Sequence, residues 1–202
     1  DEETEIFEGS DQFDALNKFN DAFLDRDWGD GFPLIPPTPE KVQKMLKGTT
    51  MDPDDLVCLL PPGTGYATVR KIAICAVMAG CEPRHLPVLM AGAKALASLD
   101  PQDSRGWLMS TSAHAPLWVV NGPITEELGF NSKRATLGPG KRSKVNIAVG
   151  RGLLLMLKNV GHWYTGHLDM DTKGTARKFP MLIAENEEDS PWEPFHVEQG
   201  FR

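Results

Sequence analysis

The side chains best suited to acid–base chemistry lie where predicted strands end in loops. His114 stands in a turn after a predicted strand at residues 107–111, where a neutral imidazole could act as a general base near neutral pH. Asn121 ends a second predicted strand at residues 117–121, and its amide could orient a substrate oxygen. Each also has a structural interpretation: a histidine bonded to neighbouring backbone, and a simple turn before Pro123.

The acidic segment near the end of the sequence carries a second group of candidates. Four carboxylates fall within residues 185–189, and an aromatic pair and His196 follow them. Such charge density is typical of a solvated tail, but the aromatic side chains and the histidine favour docking against the body of the protein or a partner. We take Glu187 as a third candidate catalytic residue, beside His114 and Asn121. The predicted substrate-binding residues are Thr64, Tyr66, Ser112, Trp118, Asn131, Asn186, Trp192 and His196.

Motifs for several other chemistries are missing from the sequence. Residues 60–66 resemble a phosphate-binding loop only superficially, because the Lys-Ser/Thr ending of that motif is absent, and a tight turn is the better interpretation. No Gly-x-Ser-x-Gly or Ser-x-x-Lys sequence marks a serine nucleophile. The spacing of cysteines and histidines fits no usual zinc site, although a loose site on His162, His167 and Asp169 stays open. We expect neither a metal nor a cofactor.

Composition and charge limit the expected partners and location. The 21 basic and 28 acidic residues give a net charge of −7, which would repel nucleic-acid phosphates. No apolar run approaches the length of about 20 residues that spans a bilayer, and the acidic start is unlike a signal peptide. The cysteines Cys58, Cys75 and Cys81 lie among apolar residues, so we expect free structural thiols in a reducing compartment. Together these features predict a cytoplasmic protein.

Capping residues and apolar spacing predict the elements that support these loops. Ser10 begins a helix with apolar residues three and four apart, which ends before Trp28. Thr38 followed by Pro39 begins a short helix, and Thr68 begins another. The remaining helices are predicted at residues 83–98 and 143–159. Strands are predicted at residues 58–60, 107–111, 117–121 and 181–184, with the second and third of them paired.

The order of these elements predicts an α+β fold. Helices and strands do not alternate strictly, so a doubly wound parallel sheet is disfavoured. We expect one domain in which several helices pack around a small mixed sheet, with long loops rich in proline and glycine. Residues 1–9 are predicted to form a flexible acidic arm, and residues 10–202 the domain with its partner-docking acidic tail.

Five segments of the sequence resemble one known family. They are residues 28–38 (WGDGFPLIPPT), 76–81 (AVMAGC), 120–123 (VNGP), 137–140 (LGPG) and 184–194 (AENEEDSPWEP). These segments are similar to the second module of the two-component family whose first module carries a (seleno)cysteine-Gly-Ser-Cys motif. None of the three cysteines here is followed by Gly-Ser-Cys, so the motif itself is absent.

The resemblance implies a hetero-oligomer with a smaller protein subunit that carries the Cys-Gly-Ser-Cys motif. It also implies a hydrolase that splits the methyl ether of a nitroaromatic compound, releasing methanol without a cofactor. Two alternatives stay open: a thiol-dependent redox or carbon–heteroatom lyase subunit, and a scaffold for the thiol subunit without catalytic groups of its own. In the hydrolase, His114 would be the base, and Asn121 would hold developing negative charge beside a planar ligand.

Overall fold

Helix starts in this protein follow capping residues in the sequence. The structure is a computed structural model that describes residues 4–179 and 182–201. Helix α1 (Gln12–Asp25) is capped by Asp11, whose carboxylate accepts hydrogen bonds from the next turn. The predicted cap Ser10 is therefore wrong by one residue, because its amide instead donates to the Asp14 carboxylate at 2.8 Å. Helix α2 (Pro39–Leu46) begins at its predicted cap, Thr38.

Three helices form the centre of the fold. These are α3 (Val69–Met78), which Thr68 caps as predicted, α4 (Leu86–Ala97) and α7 (Lys144–Asn159), and they pack against one another. Glycines allow α4 and α7 to approach closely: an added Cβ on Gly92 would lie 2.6 Å from the Leu153 side chain. The same atom on Gly152 would lie 2.7 Å from the Leu89 side chain. A side chain larger than hydrogen at either position would therefore push α4 and α7 apart.

Two small sheets flank the central helices. Strands β1 (Leu56–Leu60) and β2 (Gly65–Thr68) form an antiparallel hairpin, and β1 packs on α4. Strands β3 (Trp118–Val120) and β4 (Leu182–Ala184) pair in parallel, and β4 packs on α7. The predicted α+β class is confirmed, with the strands divided between two sheets. The predicted start of the last strand, Met181, lies outside the described residues.

The strand predicted at residues 107–111 is wrong, because this segment ends a helix. Helix α5 (Pro101–Leu108) begins at Asp100, whose carboxylate accepts the Gln102 amide at 2.8 Å, and proline fits the first turn. Strand β3 therefore has no partner at residues 107–111 and pairs instead with β4. His114 consequently lies in a loop between a helix and a strand, and not between two paired strands.

The proline-rich connector at residues 28–38 is held by a buried ion pair. Arg151 of α7 reaches the Asp30 carboxylate with two hydrogen bonds, of 2.7 and 2.8 Å. The same guanidinium donates to the backbone carbonyls of Phe32 and Pro33, each at 3.1 Å. Since prolines remove backbone donors, a side chain that binds carbonyl groups is a suitable anchor for this extended segment.

Residues 4–9 of the predicted arm lie against α1. The Phe7 ring meets Phe19 edge-on with 5.6 Å between centroids, and Glu5 pairs with Arg26. Residues 1–3 are outside the described range. Two short helices, α6 (Ile124–Leu128) and α8 (Phe195–Glu198), complete the secondary structure that the site uses.

Candidate functional site

Strands β3 and β4 bring two loops together at one edge of their sheet. Trp118 pairs with Leu182 and Val120 with Ala184, and the Glu185 amide donates to the Val120 carbonyl at 2.8 Å. Because the strands are parallel, the residues after both strands lie at the same edge. The segments at residues 121–123 and 185–187 are therefore neighbours, although they are far apart in sequence.

A carboxylate and a histidine meet at this edge. The Gly122 amide donates to Glu187 Oε1 at 2.5 Å, and His196 Nδ1 lies 3.3 Å from the same oxygen. His196 Nδ1 is buried and makes no aligned hydrogen bond to the described residues. It is within ion-pair distance of Glu187, but the geometry is not that of a hydrogen bond. An added Cβ on Gly122, whose φ is +86°, would lie 3.5 Å from the His196 ring. That distance is ordinary van der Waals contact, so the position requires glycine for its left-handed backbone and not for room beside the imidazole.

A second carboxylate positions the short helix that carries His196. The Phe195 amide donates to both oxygens of Glu185, at 3.3 and 3.2 Å. This places a negative charge at the start of α8, where free amides and the helix dipole favour it. The acidic tail thus folds back on the β3–β4 edge.

The Glu187–His196 pair has the composition of an acid–base site. A carboxylate beside one imidazole nitrogen orients the ring and stabilises its protonated form, while the other nitrogen can exchange a proton with a ligand. The side chains are 24% and 14% exposed, so both are shielded from bulk water without being sealed from it. The pair therefore places a carboxylate and an imidazole together, partly accessible, at this edge.

An apolar cleft of about 370 Å³ opens between α4 and β3. One wall is the α4 face with the small residues Ala91, Gly92 and Ala95, and Trp118 and Asn121 line the other. The size falls within the usual range for small-molecule pockets, and the lining is mostly apolar. Asn121, which lines the cleft, directly precedes Gly122, whose amide binds Glu187. A cleft of this size and lining suits a small, mostly apolar ligand.

Two predicted residues stand beside this site in structural roles. The Asn186 side chain donates to the Asp189 carboxylate at 2.9 Å. The Asn131 side chain donates to the Ser143 hydroxyl at 3.1 Å and to a nearby carbonyl, so its amide hydrogens are already used within its own loop.

The other predicted residues lie away from the β3–β4 edge. His114 is exposed, with its Nδ1 3.3 Å from the Trp107 carbonyl, and it precedes β3 whereas Asn121 follows that strand. Ser112 is exposed in the same loop. Thr64 and Tyr66 are exposed at the β1–β2 hairpin, and the Trp192 side chain is 79% exposed.

Sequence reasoning missed the partners that complete the site. In the sequence, Glu185 is only one of the four carboxylates of the acidic segment. One signal was available: Val88, Ala91 and Ala95 recur three and four apart, on a face of α4 different from the buried one. These residues line a cleft only because β3 lies opposite them, and no local sequence pattern predicts the position of β3.

The three cysteines are free and unsuited to act as nucleophiles. Burial raises the pKa of both Cys75 and Cys81 to about 12, and burial also raises the pKa of the half-buried Cys58. The Cys81 thiol lies 3.3 Å from the Ala148 carbonyl, which it contacts as a donor. Since the thiolate is the reactive form, these thiols stay inert near neutral pH.

Metal-binding clusters and membrane-spanning helices are both absent from the part of the chain that the structure describes. It contains no cluster of three histidine, cysteine or carboxylate side chains that could hold a metal ion. Its helices also include none with the length and apolar character needed to cross a bilayer.

No protein-family model, curated protein or solved structure matches this sequence.

Proposed function

We propose that this chain is the substrate-positioning subunit of a heteromeric hydrolase. Its partner would be a smaller protein with a Cys-Gly-Ser-Cys motif, and this chain would contribute the cleft and the acid–base pair. The observation that carries the proposal is the Glu187–His196 pair beside the apolar cleft that Trp118 and Asn121 line. Because burial raises the pKa of the thiols of this chain, the nucleophile in this proposal is a water molecule that the pair activates, and not Cys75 or Cys81.

The reaction proposed is hydrolysis of a nitroaromatic methyl ether, the O-demethylase activity that the resemblance implies. His196 accepts a proton from water, whose oxygen bonds to the ring carbon that bears the methoxy group. Negative charge then moves into the nitro groups, and the Asn121 amide stabilises it. The carbon–methoxy bond breaks, the leaving oxygen takes the proton from His196, and the products are a phenol and methanol. This sequence consumes one water and requires no redox step.

The cleft supports an aromatic substrate by its shape and lining. A single ring would lie between the small residues of α4 and the Trp118 side chain, which offers a flat apolar surface. Asn121 lines the cleft and directly precedes Gly122, which binds Glu187, so a polar substituent at that end would reach an amide. The remaining lining has few polar groups, which favours a mostly apolar ligand.

A scaffold role is the second candidate. Several large apolar side chains in the tail are exposed, including Trp192 at 79%, Phe201 at 69% and Phe195 at 52%. Exposed aromatic groups so close in sequence are typical of protein contact surfaces. A subunit that only holds its thiol partner would use this surface and leave the cleft empty. The thiol-dependent redox or lyase reaction gains no separate support from this geometry.

Co-purification and assays of the separated chains test the proposal. The chain is expressed with a small Cys-Gly-Ser-Cys protein, and methanol release from a dinitrophenyl methyl ether is measured for each chain and for the mixture. We expect turnover only in the mixture. Activity of this chain alone would contradict the partner role, and a complex without any hydrolysis would favour the scaffold. Oxygen-labelled water should place its label in the phenol, since attack is at the ring.

Alanine variants then separate the two candidate bases. His196→Ala should lower the maximal rate by about a hundredfold or more without preventing assembly, as expected for loss of a general base. Glu187→Gln should give a smaller loss, because the imidazole remains but is less well oriented. His114→Ala is the competing variant, and His167→Ala, in an exposed loop, is the matched control. A loss confined to His114→Ala would transfer the role to that residue and remove the Glu187–His196 pair from the mechanism.

A further inference from the structure

The loop before α7 is strongly basic in a protein that is acidic as a whole. Between residues 131 and 144 the sequence contains no acidic residue, whereas the chain has a net charge of −7. The five cations of this loop are Lys133, Arg134, Lys141, Arg142 and Lys144. This loop is therefore a local concentration of positive charge, and its conformation decides whether the charges converge.

Buried polar side chains fix the conformation of this loop. Asn146 accepts the Asn131 amide at 2.8 Å, and the Ser143 hydroxyl donates to the Ala135 carbonyl at 3.0 Å. The Thr136 hydroxyl donates to the Asn131 carbonyl at 2.6 Å. Asn146 and Ser143 are each only 2% exposed, so these hydrogen bonds are protected from water. The loop is consequently held in one shape before any ligand arrives.

Cations of this loop converge on a pocket of about 250 Å³. Its lining is Lys133, Arg134, Arg142, Asn186 and Asp189. The Asp189 carboxylate is occupied, because Asn186 donates to it at 2.9 Å and Lys133 contacts it at 3.2 Å. These two contacts, the Asn186 hydrogen bond first, lower the pKa of Asp189, so the carboxylate is charged and Lys133 is partly neutralised.

Two arginines in the pocket are left without partners. Among the described residues, neither the Arg134 nor the Arg142 guanidinium has a hydrogen-bond or ion-pair partner. Arginine presents several donors in a planar fork that matches the geometry of an oxyanion. The pocket thus contains two unpaired guanidinium groups beside the paired Lys133 and Asp189, around a volume large enough for a small anion.

We propose that this pocket binds a small, doubly charged oxyanion of the phosphate class. Two unpaired guanidinium groups match the charge of a phosphate dianion, and each can donate to a separate oxygen. A long polyanion fits poorly, because Glu188, which pairs with Lys133 at the pocket, would repel its continuation. Free phosphate and the phosphate group of an organic monoester share this chemistry. The site is separate from the hydrolase proposal and does not depend on it.

Calorimetric titration with inorganic phosphate tests the site. Phosphate is titrated into the full chain at constant ionic strength, with chloride as the reference anion. We expect saturable binding with a dissociation constant on the order of 1 mM or tighter, from two charge-assisted contacts in partly exposed positions. Phenyl phosphate in a second titration identifies the source: tighter binding than phosphate favours an organic monoester, and equal binding favours the free ion. Absence of saturable phosphate binding would overturn the proposal.

Arginine variants connect the binding to this pocket. Arg134→Gln and Arg142→Gln should each weaken phosphate binding by about tenfold or more, as for the loss of one charge-assisted contact. Both side chains are exposed, so the fold should be unchanged by circular dichroism. Arg177→Gln, an exposed arginine in another loop, is the matched control and should bind as the wild type does. Equal weakening in all three variants, or a peptide of glutamates binding where phosphate does not, would refute the proposed site.

Discussion

Replacing Asp30 by asparagine tests how far the Asp30–Arg151 pair holds the proline-rich connector. The Asp30 side chain is 3% exposed and that of Arg151 is 16% exposed, so the pair is largely removed from water. Asparagine keeps the shape of the side chain but leaves the guanidinium without its counter-charge. Breaking a buried pair on one side costs about 3–5 kcal/mol. We expect about 3 kcal/mol, because Arg151 keeps its contacts with the carbonyls of Phe32 and Pro33.

Urea unfolding at neutral pH measures this loss. If the free energy of unfolding falls by about 2 kcal/mol per molar urea, a loss of about 3 kcal/mol lowers the unfolding midpoint by about 1.5 M. Asp54→Asn is the matched control, because Asp54 pairs with Arg70 at the surface and is 75% exposed. Its midpoint should be unchanged. The double variant Asp30→Leu with Arg151→Met should recover most of the stability, since it removes both buried charges.

Two results would refute this reasoning. A midpoint for Asp30→Asn that matches the Asp54→Asn control would show that the pair contributes no more than an exposed one. A double variant less stable than the single variant would show that the geometry of the pair, and not the cost of an unpaired charge, holds the connector.

Three further predictions concern a glycine, a thiol and a histidine. Gly65→Ala should cost more than about 4 kcal/mol, because the new Cβ would lie 1.7 Å from the Val160 carbonyl oxygen. Gly106→Ala, in open space on a helix, should instead gain about 0.5–1 kcal/mol, and thermal unfolding of both variants checks the contrast. Cys75, whose pKa burial raises to about 12, should react with a thiol reagent only after unfolding; fast labelling of the native protein would contradict this. Burial also lowers the pKa of His85, so the unfolded chain takes up a proton below about pH 6.5 that the folded chain does not. Stability should therefore fall as the pH drops through that range, and His85→Gln should lose less stability than the wild type in urea unfolding.

The helices were predictable because their signals are local. Thr38 and Thr68 each provide a side-chain oxygen for the following turn, and the sequence alone identifies both. The wrong prediction of a strand at residues 107–111 also came from a local signal. Asp100 and Pro101 give a similar start signal, but the apolar run that begins at Trp107 was interpreted as a strand by its composition. A short apolar run fits either element, and the capping signal was the better guide.

The site was only partly predictable, because it depends on contacts between distant segments. Asn121, Glu187 and His196 were each selected from the sequence, but nothing local indicates that they meet. Glu187 and His196 come together because Glu185 holds the start of α8, which turns the tail back. His114 was selected as a base because it was predicted to lie between paired strands at residues 107–111 and 117–121, and the fold does not contain this pairing. Parallel pairing of β3 with β4 is set by the packing of α7, which lies between them in sequence.

The parallel pairing of β3 and β4 also bears on when the candidate site forms during folding. Gly122 and Glu187 are 65 residues apart, and closing a flexible loop of that length costs about 4 kcal/mol in chain entropy. That cost is recovered only after α7, which the loop contains, has packed on α3 and α4. We therefore expect the carboxylate and the imidazole to meet late, on a core that is already formed. Loosening of the β3–β4 pairing would then separate them while the core is still folded, which makes the site the first part of the molecule to be lost.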